Sequence, residues 1–257
     1  MTLAECIKPT QAQLFKTLRQ KYAGDKRWWC KHKFLLVKGD APIMLVAHLD
    51  TVHTEPVKQI CASDNGNILM SPQGIGGDDR CGVYALVTVY NTAQVKPWLL
   101  FTCDEEVGGL GAQQFCLAHL QRRLPTELDA LKFIVEVDRR GANDAVYYDC
   151  MNLDFEDYVS SKGFITAQGS FSDISLIAPE LGVAAVNLSS GYYNAHRLHE
   201  YINVSELEHT IERVAEMVSD AAQVDFPAYE FDNIAAYSGS TVDEYGWDYD
   251  DWLPRLK

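Results

Sequence analysis

The chain has 257 residues, of which 47% are hydrophobic, and a formal net charge of −14 at pH 7. This length corresponds to one large domain or two small ones and is sufficient to bury a sizeable core. The negative charge argues against nucleic-acid binding, because proteins that bind nucleic acid usually carry basic patches. No apolar run approaches the roughly 18–20 residues that a membrane span needs. We therefore expect neither nucleic acid nor membrane as a partner.

The seven cysteines are scattered along the chain and contain no Cys-x-x-Cys pair. An odd number at irregular spacing is typical of free thiols in a reducing compartment and argues against a zinc knuckle. The N-terminal stretch, MTLAECIKPTQAQLFK, has no long apolar segment and so predicts no signal peptide. These observations favour a cytoplasmic protein.

The first ninety residues favour an amphipathic helix, three strands and a second helix. Leu14, Phe15 and Leu18 lie on one face of the first helix, which has Pro9 near its start. The run Asp40-Ala41-Pro42 between the first two strands predicts a hairpin, and Asp64-Asn65-Gly66 predicts a turn before the third. In order, the five elements are expected at 9–22, 34–39, 43–50, 67–72 and 80–91.

Strands and helices alternate through the rest of the chain. Near-continuous apolar strands between helices predict a mostly parallel sheet covered on both faces. The fold class is therefore α/β, a three-layer arrangement with a mixed, mostly parallel sheet. The last helix is predicted to be capped by Asn203 or Ser205. The strands are expected at 98–104, 132–138, 145–150 and 184–190, and the helices at 112–122, 153–161, 172–181 and 204–224.

The composition changes at residue 225. Residues 1–224 show no linker and predict a single catalytic α/β domain, whereas residues 225–257 mix Tyr, Trp and Asp without clear periodicity. This C-terminal tail contains eight acidic and two basic residues. It is either an extended arm packed by its aromatic side chains or a mobile segment, and we favour packing on the domain.

Polar residues gather where the predicted strands end. In open α/β sheets, sites lie beyond the carboxyl ends of the strands. Five segments bring carboxylates or imidazoles to one edge: His48 with Asp50, Asp78 with Asp79, Asp104 with Glu105 and Glu106, Asp138, and His196. Adjacent carboxylates repel each other unless cations neutralise them. Imidazole and carboxylate ligands suit zinc, and carboxylate-rich sites also accept manganese or cobalt.

The motifs at these positions resemble those of a known enzyme family. His48-x-Asp50, Gly77-Asp78-Asp79-Arg80-x-Gly82, Asp104-Glu105-Glu106-x-Gly108, Asp138 and His196-x-x-x-Glu200-Tyr201 occur in the order seen in the zinc-dependent exopeptidases. These are the co-catalytic metallopeptidases of the M20, M28 and M42 families. HLDTV and DEEVG most resemble M20, whereas DDRCG and GSFSDI are also similar to M42 and M28. The resemblance covers roughly residues 34–210.

The resemblance implies a role for each matching residue and two bound divalent metal ions, zinc foremost with cobalt or manganese as alternatives. Asp78 bridges the two ions, and each ion also binds further side chains. Asp50 orients a ligand histidine, and Glu105 is the general base. A water between two cations is acidified, so a nearby free carboxylate can take its proton. The remaining implied metal ligands are His48, Glu106, Asp138 and His196.

The chain departs from the M20 pattern between Asp138 and His196. M20 enzymes usually carry a domain-sized insertion there, but only the 57 residues 139–195 lie between the two positions. We therefore expect the lid and dimerisation domain to be missing, which leaves the substrate contacts and the oligomeric state unassigned. Nearby candidates for substrate recognition are Tyr192, Tyr193, Arg139, Arg140 and His199.

Several other polar and aromatic residues have a simpler structural interpretation. Asp173 is expected to cap the helix that follows it, and Glu200 to support the His196 loop. Arg80 is expected to form ion pairs with local carboxylates. Cys81 is expected to be a buried small residue, and Trp28 with Trp29 to serve packing.

These residues favour a metal-dependent exopeptidase that cleaves small peptides next to a free terminus, such as an aminopeptidase or a di- or tripeptidase. Its partner is then a small peptide or aminoacyl substrate. An amidohydrolase that deacylates N-acyl amino acids would use the same site chemistry with a different pocket. A hypothesis of another class is an inactive domain that binds a partner through the acidic, aromatic tail.

Overall fold

The computed structural model describes residues 1–23, 27–30, 33–148, 150 and 152–224. These residues form an eight-stranded mixed sheet at the centre of the molecule and a smaller sheet of four strands. The strands are β1 (Arg27–Cys30), β2 (Phe34–Val37), β3 (Ile43–His48), β4 (Cys61–Ala62), β5 (Ile68–Met70), β6 (Trp98–Thr102), β7 (Phe133–Arg139), β8 (Asp144–Val146), β9 (Ile165–Thr166), β10 (Ala184–Ser189), β11 (Tyr192–Tyr193) and β12 (Tyr201–Asn203). The order in the large sheet is β1-β2-β6-β3-β7-β10-β8-β9, and the order in the small sheet is β11-β12-β5-β4.

Helices cover both faces of the large sheet, as the alternation of strands and helices predicts. They are α1 (Leu3–Ile7), α2 (Gln11–Lys21), α3 (Gly77–Thr92), α4 (Leu110–Leu120), α5 (Leu153–Ser161), α6 (Ile174–Leu181) and α7 (Val204–Asp220), with a 3₁₀ turn at Thr126–Ala130. None of the described helices is long and apolar enough to cross a membrane.

The central strands are buried on both faces because their side chains alternate between two apolar layers. Leu45 of β3 packs in the layer that also contains α1, α2, α3, α5 and α7. Val46, the next residue, packs in the layer that contains α4 and α6. Side chains that point to opposite faces with a period of two explain why every residue of β3 is buried. The predicted three-layer α/β fold is therefore confirmed.

The central pairs β6-β3, β3-β7 and β7-β10 are parallel. Their carboxyl ends therefore meet at one edge, which is the edge where the sequence places its polar residues. Strand β7 ends at Asp138 and Arg139, beside the end of β10 at Ser189.

The predicted hairpin between 34–39 and 43–50 is wrong. Strand β2 pairs antiparallel with β1 and β6, and β3 lies on the far side of β6. The turn at Asp40 and Ala41 donates both backbone N–H groups to the Lys96 carbonyl oxygen, so it is held against the segment that enters β6. Insertion of β6 between the two strands is a long-range pairing that the local turn signal does not encode.

Most element boundaries agree with the sequence to within a few residues. Helix α2 begins after a capping box of Thr10 and Gln13. Asn203 caps α7, as predicted, by accepting a hydrogen bond from the Glu206 N–H. The strand expected at 145–150 is shorter, since β8 spans Asp144–Val146. Side chains of Trp28 and Trp29, and the tail 225–257, lie outside the described residues.

The segment between Asp138 and His196 builds part of the main fold. Its described residues supply strands β8, β9 and β10 of the large sheet and the helices α5 and α6. Residues of α5 and α6 pack in the two apolar layers on the sheet, Phe155 in one and Ile177 in the other. This described part of the segment therefore contributes to the core of the main fold.

Candidate active site

The carboxyl ends of β3 and β7, the loop after β6, the start of α3 and the loop after β11 converge at one edge of the large sheet. They bring together the seven residues to which the family resemblance assigns a role. These are His48, Asp50, Asp78, Glu105, Glu106, Asp138 and His196, whose side chains form a continuous series of close contacts.

The first group of potential ligands consists of His48, Asp78 and Asp138. His48 Nε2 lies 3.2 Å from Asp78 Oδ1 and 3.4 Å from Asp138 Oδ1. The imidazole is fully buried. Burial works to lower the pKa of His48, but the carboxylates of Asp138, Asp50 and Asp78 raise it well above its usual value. The group thus combines one nitrogen and two oxygen donors at one point.

The second group consists of Asp78, Glu106 and His196. His196 Nε2 lies 3.2 Å from Asp78 Oδ2 and 3.1 Å from Glu106 Oε1. The carboxylates of Asp78 and Glu106 beside the imidazole raise the pKa of His196 to about 10. Asp78 therefore presents one carboxylate oxygen to each histidine, and the two groups share it.

The donor set fits two divalent metal ions. Tetrahedral ligands about 2.0–2.2 Å from zinc are separated from each other by about 3.3–3.6 Å, close to the nitrogen–oxygen distances in both groups. The donor atoms of each group lie within 4.8 Å of one another. Glu106 Oε1 is buried without a hydrogen-bond partner although His196 is 3.1 Å away. A buried lone pair of this kind is suited to coordinate a cation.

Asp50 connects the histidine end of the site to the glutamate turn. Its two carboxylate oxygens accept hydrogen bonds from the backbone N–H groups of Glu105 and Glu106, at 3.1 and 3.0 Å. Asp50 Oδ1 also lies 3.4 Å from His48 Nδ1. Burial opposes ionisation, but His48 and the two N–H groups lower the pKa of Asp50 to about 2. Asp50 therefore remains an anion that fixes the turn and faces the imidazole.

Glu105 lies beside the two groups but belongs to neither of them. Its Oε2 is 4.0 Å from His48 Nε2. Burial raises the pKa of the Glu105 carboxyl to about 8, against the opposing charge of His48. A carboxyl group that titrates near neutral pH is suited to general acid–base chemistry. A third set of donors, His48, Glu105 and Glu106, also lies close together.

The adjacent aspartates have different surroundings. His196 and His48 hold the pKa of Asp78 well below its usual range, although burial acts in the opposite direction. Burial and the nearby Asp138 raise the pKa of Asp79 well above its usual range. Asp79 Oδ1 and Oδ2 accept hydrogen bonds from the N–H groups of Gly82 and His48. Asp78 therefore faces the histidines, whereas Asp79 supports the backbone.

Glycine is required where this turn approaches its neighbours. A Cβ at position 77 would lie 2.7 Å from the Cβ of Tyr192, and one at position 82 would lie 2.3 Å from the Val137 carbonyl oxygen. Gly76 has a φ of +63°, in the left-handed region that favours glycine. The glycines thus allow the start of α3 to pack directly against the strand that carries Asp138.

Glu200 and His53 form a support that the sequence did not reveal. Glu200 is fully buried and accepts hydrogen bonds from the backbone N–H groups of Gly76 and Asp78, at 3.0 and 2.9 Å. Its Oε2 lies 2.9 Å from His53 Nε2. Glu200 was expected to support the His196 loop, but its side-chain contacts hold the loop that enters Asp78. Since 122 residues separate Glu200 from Asp78, no local pattern encodes this contact.

Asp138 is held by two further residues. Asn187 accepts a hydrogen bond from the Asp138 N–H at 2.9 Å and donates to the Asp138 carbonyl oxygen at 3.2 Å. The Tyr192 hydroxyl donates to the same carbonyl oxygen and lies 3.4 Å from Asp138 Oδ1. Tyr192 is buried. Tyr192 was a candidate for substrate contact, but its hydroxyl instead holds Asp138.

The other candidates for substrate contact have no described side-chain contact with the cluster. Tyr193 stacks on Tyr201 and donates its hydroxyl to Glu206. Arg139 contacts Asp144 and the Gln168 carbonyl oxygen. Arg140 and His199 are exposed, and no described contact of either side chain joins it to the site.

Besides Glu200, two further structural interpretations need correction and one is confirmed. Arg80 is buried and donates to the carbonyl oxygens of Cys6 and Pro9, not to a carboxylate. Asp173 occupies the position before α6 without capping it, because its Oδ2 accepts a hydrogen bond from the Thr102 hydroxyl. Cys81 is fully buried, as expected.

The fold is similar to that of several solved aminopeptidase structures. Aminopeptidase PepT from Bacillus cereus matches with a TM-score of 0.62 and 16% identity, covering 86% of this chain and 97% of that one. A tripeptidase from Staphylococcus aureus matches with a TM-score of 0.64 and 14% identity, covering 87% and 97%. A TET aminopeptidase from a marine sediment archaeon of the Thaumarchaeota matches at 0.62 and 15%, covering 84% and 95%. No family model matches the sequence, and neither does any curated protein.

Proposed function

We propose that this protein is a metal-dependent exopeptidase that hydrolyses small peptides next to a free terminus, with two divalent ions, zinc foremost, in the cluster around Asp78. The observation that carries this proposal is the division of the Asp78 carboxylate, which presents Oδ1 to His48 and Oδ2 to His196 at 3.2 Å each. One carboxylate shared between two ligand groups is the arrangement of a two-metal hydrolytic site. The aminopeptidase structures with the same fold support this choice of substrate.

Glu105 and Asp50 have distinct tasks in this reaction. His48, Asp78, Asp138, Glu106 and His196 would hold the divalent ions, which would supply Lewis acidity to polarise the scissile carbonyl and lower the pKa of an attacking water. Glu105 accepts the proton of that water on its carboxylate and then delivers it to the leaving amine. Asp50 holds the Glu105 N–H, so the direction of the carboxylate is set before substrate arrives. Geometry fixed in advance is a major source of rate enhancement.

The test is to load the protein with Zn²⁺, Co²⁺ or Mn²⁺ and assay aminoacyl-coumarin derivatives, dipeptides, tripeptides and N-acetyl amino acids side by side. The proposal predicts turnover of substrates with a free terminus, two ions per chain by elemental analysis, and loss of turnover after chelation. Hydrolysis of N-acetyl amino acids alone would instead identify a deacylase. Metal-loaded protein that cleaves no member of the panel would overturn the proposal.

A further inference from the structure

Asp104, which opens the turn carrying Glu105 and Glu106, has an unusual backbone conformation. Its φ is +62°, in the left-handed region that residues other than glycine occupy infrequently. Such a conformation persists when neighbouring groups hold it. The side chains that hold Asp104 therefore help to determine where the next two carboxylates point.

Gln11 holds Asp104 by a reciprocal pair of hydrogen bonds. Gln11 Nε2 donates to Asp104 Oδ1 at 2.9 Å, and the Asp104 N–H donates to Gln11 Oε1 at 3.1 Å. Lys33 Nζ lies 2.9 Å from the other carboxylate oxygen, Oδ2. The Asp104 carbonyl oxygen accepts from the Leu110 N–H. Every polar atom of Asp104 thus has a partner, and Gln11 supplies two of these contacts from helix α2.

The contact continues directly into the candidate site. Gln11 accepts the N–H of Asp104, and Asp50 accepts those of Glu105 and Glu106. Three successive backbone N–H groups are therefore held by side-chain oxygens. Asp50 fixes only the N–H groups of Glu105 and Glu106. The direction in which the chain enters the turn therefore depends on the N–H group of Asp104.

We propose that Gln11 is a positioning residue for Glu105 and Glu106, acting through Asp104. Helix α2 is then part of the catalytic machinery as well as of the core. This inference rests on the proposed function in that Glu105 transfers the proton and Glu106 binds a metal ion.

Gln11 is not needed to dock the helix. Leu14, Phe15 and Leu18 are buried in the core and attach α2 to the sheet. Gln11 is only half-buried, at the first residue of the helix. Replacement of its side chain should therefore leave the fold in place, so that an effect on the turn can be separated from loss of the helix.

The experiment compares Gln11→Ala with Gln13→Ala in the metal-loaded protein. Gln13 lies on the same helix and is exposed, and its side chain accepts the Thr10 N–H in the capping box, so Gln13→Ala removes a helix contact without touching Asp104. We expect Gln11→Ala to lower kcat about 10- to 100-fold with KM within about twofold, since small displacements of catalytic groups have effects of this size. Gln13→Ala should leave both constants near wild type.

A second readout does not depend on turnover. Hydrogen exchange of backbone amides in 103–109 should be faster in Gln11→Ala than in wild type or Gln13→Ala, with and without metal. The Co²⁺ absorption spectrum should also change in Gln11→Ala but not in Gln13→Ala, because Glu106 is a proposed ligand. Gln11→Glu keeps the acceptor but places a carboxylate against Asp104, so it should resemble Gln11→Ala.

The outcomes separate the inference from the proposed function. If the wild type cleaves no peptide, the proposed function fails, and exchange in 103–109 still decides whether Gln11 holds the turn. Faster exchange confined to Gln11→Ala and Gln11→Glu supports the inference. Unchanged kcat in Gln11→Ala, equal effects of Gln11→Ala and Gln13→Ala on kcat, or unchanged exchange in 103–109 would overturn it.

Discussion

The backbone N–H of Asp78 donates a 2.9 Å hydrogen bond to the buried carboxylate of Glu200. This contact orients the aspartate whose two oxygens face the two histidines. Glu200 also accepts the Gly76 N–H and contacts His53, so its carboxylate organises the whole approach to Asp78. The proposed metal site is therefore expected to depend on Glu200, which is not one of the proposed ligands.

Replacing Glu200 by Gln should weaken metal binding. In glutamine an NH₂ group replaces one carboxylate oxygen, so at least one of the groups that now donate to Glu200 loses its acceptor. Loss of an outer-shell partner typically costs 10–100-fold in metal affinity. We expect a decrease of this size in Zn²⁺ titrations. Glu208→Gln, at an exposed position of α7, is the matched control and should bind metal like wild type. Equal affinities in the two variants would contradict the role given to Glu200.

Replacing Glu105 by Gln should strongly reduce turnover without removing metal. The substitution keeps the shape of the side chain but eliminates the group that accepts a proton, and general acid–base catalysis contributes about 10²–10⁴-fold. We expect kcat to fall by that factor while elemental analysis still finds two ions per chain. Glu106→Gln is the contrasting variant and should lose metal. Retained turnover in Glu105→Gln would assign the proton transfer to another residue.

The adjacent aspartates should respond differently to the same change. Asp78→Asn removes the shared anionic ligand, so we expect binding of at least one ion to be lost. Asp79→Asn changes a residue whose pKa is raised and which supports two backbone N–H groups. It should destabilise the fold by about 1–3 kcal/mol while retaining two ions. Elemental analysis and thermal unfolding of both variants measure this, and the reverse pattern would exchange the two roles.

Chelation of bound metal should lower the melting temperature. Five carboxylates, Asp50, Asp78, Glu105, Glu106 and Asp138, lie together, and ions that bind only the folded state stabilise it. At an ion concentration 100-fold above Kd the stabilisation is about 2.7 kcal/mol. This corresponds to a shift of about 5–10 °C in a chain of this size. Calorimetry with EDTA and after re-addition of Zn²⁺ checks it, and an unchanged melting temperature would argue against a metal in the folded protein.

The sequence predicts the layers of the fold and the principal residues of the site because both follow local rules. Apolar strands such as 43–47 mark a sheet buried on both faces, and parallel strands place their ends at one edge. His48, Asp138 and the glutamate turn lie at such ends and therefore meet. The strand order is not local, which is why the hairpin expected at Asp40 is absent.

The supporting residues could not be predicted from local patterns. Gln11 contacts Asp104 across 93 residues, and Asn187 contacts Asp138 across 49. Neither residue belongs to a sequence motif. Each contact depends on where the fold places the end of a strand and not on a fixed spacing along the chain. Asp173 shows the converse error, since its position before a helix indicates a cap while its side chain turns to Thr102. The role of the acidic tail stays a prediction.

Anomalous diffraction from crystals of the Zn²⁺-loaded protein tests the central claim most directly. We predict two peaks on either side of the Asp78 carboxylate, one ligated by Oδ1 with His48 and Asp138, the other by Oδ2 with Glu106 and His196. A single peak, or two peaks that do not share Asp78, would contradict the account.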